Sequence, residues 1–327
     1  MKIGIVGVGG MGGCHFNIYN DIICKNMNDV ELSAACDVRL DMLKEKAKGI
    51  NIRLYDNYDE MLEKEEFDII DVSTPTYLHK EHSIKALKKG INVICEKPMA
   101  LNSAEAAEII QAAKESGKLF MAAHVVRFMN PYMYLEDVIK SHKYGNLIKL
   151  YMKRISSTPL WSYENWMMDK SKSGHVALDL SIHDIDFMQS VLGEPDDVSG
   201  TYYEMKDTSN YISANYVYKN CSVSVEGAWF KADIPFSAEF SAVFENGYVD
   251  FKNNRLSDNG NDIDFENPEV VENTGINISS VGDGYSSEIM YFIDCVKKGV
   301  SPAKVMPESS LKSISIVEKT LNKLKKI

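Results

Sequence analysis

The first twelve residues constrain this chain more than any other stretch. Lys2-Ile3-Gly4-Ile5-Val6 is a short apolar strand, and it runs straight into Gly7-Val8-Gly9-Gly10-Met11-Gly12. A strand followed at once by G-x-G-x-x-G is the mark of a βαβ unit that binds a dinucleotide. Gly7 allows the tight turn, Gly9 lets a pyrophosphate approach bare backbone, and Gly12 lets the helix pack closely on the strand. The phosphates would rest on free N–H groups at a helix N-terminus, with Gly10 and Met11 in its first turn. A second apolar run, Val30 to Cys36, ends in Asp37. That is where an acid accepting bonds from an adenosine ribose is expected. The other reading is a glycine-rich turn in an unrelated α/β protein, and the agreement of strand, glycines and acid argues against it.

Up to about residue 122, short apolar runs alternate with amphipathic stretches. Strands are predicted at Ile3–Val6, Leu32–Cys36, Ile69–Val72, Asn92–Cys95 and Leu119–Ala122. Helical patterns fall at 76–89 and 104–116, the latter with Asn102 and Glu105 as a capping arrangement. Alternation of this kind implies a doubly wound parallel sheet with ligands at the carboxyl ends of its strands. Asp37, Ser73-Thr74-Pro75 and Glu96-Lys97-Pro98 all follow such ends.

Beyond residue 123 the grammar changes. Helices are predicted at 132–141 and 176–192, the second stopping at Gly193 with Pro195 beyond. Strands are predicted at 147–155, 198–204, 211–217, 222–227, 237–244 and 247–251, which together suggest a largely antiparallel sheet. Residues 253–284 are rich in Asn, Asp and Gly and read as a long loop. Helices at 286–298 and 308–325 close the chain. The expected fold class is therefore α/β, with a Rossmann sheet in residues 1–122 and an α+β domain with an open sheet in 123–327.

Bulk properties narrow the function. The chain has 327 residues, 45% hydrophobic and 25% charged, with a formal charge of -11. A general electrostatic grip on nucleic acid or anionic lipid does not fit that charge. No apolar run reaches the ~18 residues of a membrane span. The six cysteines include no C-x-x-C pair and suit a reducing, cytoplasmic setting.

Two constellations carry chemistry. Lys97 stands at the strand-end rim where a nicotinamide would lie, which makes it an acid/base candidate. An ordinary lysine is too basic for that at neutral pH, and burial beside a cationic ring would correct it. The alternative is a solvated lysine in a turn, with Pro98 a candidate for a cis bond. Asp179 and His183 are four apart and would share a helix face continued by Asp186. The alternatives are a core histidine held by a carboxylate, or a metal site using His175, Asp179 and His183.

With these residues in place, the chain resembles the glucose–fructose oxidoreductase/inositol dehydrogenase (Gfo/Idh/MocA) family along nearly its whole length. The shared marks are Gly7–Gly12, Glu96-Lys97-Pro98 and Asp179–His183, with lesser echoes at Thr74-Pro75 with His79 and at Arg127-Phe128. The resemblance implies hydride transfer between a sugar or polyol carbinol and a nicotinamide. It also implies that Lys97, His183 and Asp179 face the substrate, without a metal. An open sheet that joins copies into a homodimer or homotetramer is a further implication. In this scheme Lys97 or His183 takes the hydroxyl proton and Asp179 orients His183.

The expected cofactor is NAD, because Asp37 would repel a 2′-phosphate, while Arg39 leaves room for NADP. The cofactor set is completed by Ser73, Thr74, Pro75, His79, Glu96 and Lys97. Trp161, Tyr163 and Trp166 are candidates for sugar faces, and Arg127 or Arg154 for an acidic group. The bland alternative is that these aromatics fill a domain interface and the arginines form structural ion pairs. His175 departs from the family's usual Gly-Gly and would line the pocket or face solvent. Two rival functions remain: a redox-neutral glycosidase that keeps NAD, and a non-catalytic dinucleotide sensor.

Overall fold

The computed structural model describes residues 1–204, 210–265 and 284–327. The first half of the chain forms a six-stranded sheet. Its elements are β1 (Lys2–Val6), α1 (Gly10–Ile18), β2 (Glu31–Cys36), α2 (Leu40–Lys46), β3 (Arg53–Tyr55), α3 (Tyr58–Lys64), β4 (Ile69–Val72), α4 (Thr76–Lys88), β5 (Asn92–Glu96), α5 (Ser103–Ser116) and β6 (Phe120–Ala123). The order is β3-β2-β1-β4-β5-β6 and every pairing is parallel. Helices cover both faces, so Ile69–Val72 and Phe120–Ala123 are buried at every position. The strand order reverses between β1 and β4, and the crevice there opens at their carboxyl ends.

Local signals account for much of this. The Asn102 side chain accepts the Glu105 N–H at 2.9 Å, and Gly117 at φ +66° ends α5. β3 was not foreseen, because three residues of an edge strand carry too little pattern. Residues Tyr19–Ile23 extend α1 as a π-helical turn.

The second half begins with α6 (Asn130–Lys140) and β7 (Leu147–Ser157), then two helices, α7 (His175–Asp179) and α8 (Ile182–Leu192). Strands β8 (Asp197–Glu204), β9 (Asn210–Val217), β10 (Ser222–Phe230), β11 (Ser237–Phe244), β12 (Gly247–Lys252), β13 (Arg255–Asp258) and β14 (Asn261–Ile263) follow. The chain closes with α9 (Gly284–Lys298), α10 (Pro307–Lys323) and β15 (Lys325–Lys326). The sheet order is β14-β13-β12-β11-β7-β10-β9-β8-β15. Only the β7–β10 and β8–β15 pairs run parallel among the described residues.

Two expectations need correcting here. Residues 253–284 are not simply a loop, since β13 and β14 lie within them. Asn253 and Asn254 have φ of 51° and 60°, and Asn259 and Gly260 have 48° and 81°. These are two-residue hairpin turns with both central residues left-handed, so the Asn/Gly clusters mark turns between short strands. Residues 266–283 lie outside the described ones. The predicted single helix over 176–192 is broken. The Ser181 N–H reaches back to Val176 O at 2.8 Å, and regular helix resumes at Ile182.

The broken helix packs on the inner face of the large sheet. A Cβ on Gly227 of β10 would collide with Ser181 Oγ, so this glycine admits the break. Aromatic residues fill the space beneath: Tyr132 packs edge-on against Phe187 and Phe240 at 5.2 and 5.1 Å. The outer face leaves Tyr151, Val217, Val243 and Tyr248 exposed. Helix α9 returns to the first sheet, where Ile289, Phe292 and Ile293 share a core with Ile3, Ile5 and Ile94. Among the described residues no helix is long and apolar enough to cross a membrane.

Candidate active site

The glycine loop is packed tightly on its own backbone. Gly7 sits at φ +84°, open mainly to glycine, and a Cβ on Gly12 would run into the Gly7 carbonyl oxygen. The loop is braced by Asp37, whose Oδ2 accepts the Val8 N–H at 2.8 Å. Gly10 and Met11 open α1, and Ser73-Thr74-Pro75 follows β4 on the same rim. This bare backbone and the acid at the end of β2 fit the pyrophosphate and ribose of a dinucleotide.

His79 ties two strand-end turns together. Its ring nitrogens lie 2.7 Å from Thr74 O and 2.8 Å from Pro98 O. Burial lowers its pKa against the pull of those carbonyls. The Lys97–Pro98 peptide is cis.

A buried charge network missed in the sequence lies behind this rim. His15 Nδ1 is 2.8 Å from Asp71 Oδ2, and Nε2 faces Glu96 Oε1 at 3.2 Å in an ion-pair contact. Tyr19 and Ser73 donate to Asp71 at 2.9 and 2.6 Å. Burial alone would lower the His15 pKa, but the Asp71 and Glu96 carboxylates outweigh it and hold it well above the ordinary value. Glu96 in turn accepts the Lys97 N–H at 3.0 Å. The available signal was polar residues inside apolar runs, His15 in Cys14-His15-Phe16 and Asp71 in Ile70-Asp71-Val72, which require buried partners.

Lys97 and Asp179, far apart in sequence, meet across the cleft. Lys97 Nζ donates to Asp179 O at 2.8 Å and to Asp179 Oδ1 at 3.3 Å. His183 stands close enough for Lys97 to act on it. Burial first, then the charges of Lys97, Arg154 and His124, push its pKa well below 6.5. Its Nδ1 is buried with no hydrogen-bond partner. The expectation that Asp179 orients His183 along one helix face is corrected: the chain breaks at Leu180-Ser181, and Asp179 pairs with Lys97 instead.

The remaining candidates separate. Arg127 makes a bidentate pair with Asp186, both contacts 2.7 Å, and also donates to Ser309 and Lys304 O. Arg154 pairs with Asp184 at 2.8 Å and reaches Tyr132. Both are thus committed to structural ion pairs. His124, unforeseen, lies 3.4 Å from Asp186, and burial brings its pKa to about 4. His175 is turned to Glu204 and Met168 O, each 3.1 Å away, so it does not converge with Asp179 and His183. Among the described residues no group of three or more His, Cys, Asp or Glu side chains is placed to hold a metal ion. Trp166 packs against the core, while Trp161 is 66% exposed.

Comparison with known proteins decides the family. Residues 1–124 match an oxidoreductase family with an NAD-binding Rossmann fold, and residues 132–250 match the GFO/IDH/MocA C-terminal domain. The chain belongs to the Gfo/Idh/MocA family. Within it, the chain is similar to the 2,7-anhydro-N-acetylneuraminate hydratase of Escherichia coli (strain K12), 36% identical over 42% of this chain and 36% of that protein. The match therefore spans little more than a third of that relative's length. It is 26% identical to the glucose-6-phosphate 3-dehydrogenase of Bacillus subtilis over 89% of this chain and 87% of that one. An oxidoreductase from Agrobacterium radiobacter, solved with NAD+, L-tartaric acid and magnesium, shares the fold. Its TM-score is 0.85 at 16% identity, covering 99% of this chain and 96% of that one.

Proposed function

We propose that this chain transfers a hydride between NAD and a secondary carbinol of a sugar or polyol. The observation that carries this reading is the meeting of Lys97 and Asp179 at the strand-end rim that also holds the glycine loop, with His183 within reach of the Lys97 charge. The dinucleotide, held by Gly7–Gly12, Asp37 and the Ser73–Pro75 turn, supplies the hydride acceptor or donor at its nicotinamide.

The chain's own residues manage the proton. His183 is held neutral by burial and by the cations around it, which leaves its ring free of a second proton in the oxidative direction but weakens it as a base. Lys97, anchored by Asp179, donates a hydrogen bond to the carbinol oxygen and limits the charge that builds there. Asp179 acts on Lys97 rather than on His183. Trp161 is exposed, and an exposed indole face suits the apolar face of a sugar ring. Support for this substrate class comes from the near full-length similarity to a sugar-phosphate 3-dehydrogenase.

Reduced-nicotinamide absorbance, followed with NAD or NADP against inositols, aldoses, sugar acids and sugar phosphates, tests the reading. Turnover with one compound, lost in Lys97→Met while dinucleotide affinity persists, is the expected result. Undiminished turnover in that variant would overturn the role given to Lys97. The hydratase relative motivates a second reading, in which the same site works without net redox change. Product formation without accumulating NADH would favour it. We infer that a second copy of the chain covers the outer face of the large sheet, where Tyr151, Val217, Val243 and Tyr248 are exposed. Light scattering at working concentration checks this.

A further inference from the structure

Arg39 lies where a dinucleotide must approach. Its Nε is 3.1 Å from Asp37 Oδ1 and its Nη2 3.4 Å from Asp37 Oδ2. Its own N–H donates to Asp37 Oδ1 at 2.9 Å. A Cβ placed on Gly9 would sit 3.1 Å from Nη2, so the guanidinium reaches over the middle of the glycine loop. Its flat face is covered from the other half of the chain: Arg39 Cζ is 4.7 Å from the centre of the Tyr163 ring.

Tyr163 is presented by an unusual piece of backbone. Glu164 and Asn165, which follow it, both have φ of 52°. Two consecutive left-handed residues without a glycine are uncommon, and such strain gathers at ligand clamps. The segment is anchored by buried Met167 and by Trp166 against the core, and Tyr163 itself is 43% exposed. A half-exposed tyrosine on a strained turn, reaching across the cleft to one arginine, calls for a reason.

NAD and NADP differ by a phosphate on the adenosine 2′ oxygen. Asp37 disfavours that phosphate, and Arg39 is placed to reverse the preference if its guanidinium turns toward it. To do so it must leave both the carboxylate at its edge and the ring on its face. We infer that Tyr163 is a cofactor-specificity residue. By stacking on Arg39 it keeps the guanidinium on Asp37, and so favours a dinucleotide with a free 2′-hydroxyl. This rests on the dinucleotide reading of the glycine loop. An exposed cation–π contact corresponds to a roughly two- to fivefold change in relative affinity.

The test is titration calorimetry of NAD+ and NADP+ against wild type, Tyr163→Phe, Tyr163→Ala and Tyr163→Leu, repeated for Tyr163→Ala in an Arg39→Met background. Circular dichroism confirms that each variant is folded. Tyr163→Leu keeps apolar bulk without a π-face, and serves should Tyr163→Ala fail to fold. The expected result is a roughly two- to fivefold shift toward NADP+ in the Ala and Leu variants. The Phe variant keeps the wild-type ratio, and the shift vanishes without Arg39. An unmoved ratio in both Ala and Leu, or an equal shift without Arg39, overturns the inference. Wild type that binds neither dinucleotide overturns the dinucleotide reading itself, a distinguishable failure.

Discussion

The two halves of the cleft are made by different means. The cofactor half is backbone: Gly7 at a left-handed φ, Gly12 against a carbonyl, and strand ends that stop on one rim. The half proposed to carry the chemistry rests on buried charge pairs, of which Arg154–Asp184 and Arg127–Asp186 are structural. Lys97 meets Asp179 across the cleft, Arg154 meets Asp184, and Arg127 meets Asp186, each across a long stretch of sequence. Backbone sites depend on neighbours in sequence and tolerate little change in side-chain size. Charge sites depend on partners delivered by the fold, and removing one partner leaves the other stranded. Chemistry and binding should therefore be separable by mutation on the charged side and inseparable on the glycine side.

The sharpest way to break that comparison is Lys97→Met. Turnover should fall by about 10²–10³-fold, the range for losing one hydrogen-bond donor to a developing oxyanion, while the NAD Kd stays within about twofold. A parallel loss of NAD affinity would show that the halves are not separable. Next in size is Arg127→Met, which leaves Asp186 buried with His124, Ser313 and no full counter-charge. Urea unfolding should register a loss of about 3–5 kcal/mol. A loss below 1 kcal/mol would mean that water or rearrangement replaces the arginine.

A smaller effect sharpens the role of the helix break. Gly227→Ala pushes a methyl against Ser181 and should cost about 1–3 kcal/mol. kcat should drop, because Asp179 and His183 flank the break, with NAD affinity unchanged. The last effect is one of pH. Burial holds the His82 and His124 imidazoles at about 4, against an unfolded value of about 6.5. The unfolded chain takes up protons below about 6.5 that the folded chain refuses until about 4. Stability from these groups is thus complete above about 6.5 and is lost as pH falls toward 4. The melting temperature should fall over that window, less steeply in His82→Gln. His15 acts with the opposite sign: its contribution is full below about 6.5 and is lost as pH rises through its raised folded value.

Much of the fold was legible because it is written locally. Glycines, the Asn102 cap and apolar runs of strand length placed five of the six strands of the first sheet and the order of elements beyond it. The same glycines and Asp37 marked the Rossmann domain, which the NAD-binding family model matches over residues 1–124. The Asn253-Asn254 and Asn259-Gly260 turns were also written in the sequence, but the strands between them are only a few residues long, and the composition of the whole region masked them.

The half proposed to carry the chemistry was legible as residue types and not as partners. Spacing alone joined Asp179 to His183 on one helix, and could not register the break at Leu180-Ser181. At that break Ser181 sits against Gly227 of β10, where a Cβ would collide with its Oγ. His15, Asp71, His124 and Asp184 carried no motif; they matter because folding removes them from water and only charged or hydrogen-bonded partners offset that cost. By itself the sequence determined a glycine loop with an acid for a dinucleotide, since those requirements are local and steric. Only the tertiary structure decided that Lys97 is held by Asp179 and that Arg39 is capped by Tyr163, because both contacts join residues that meet only when the two halves of the chain pack together.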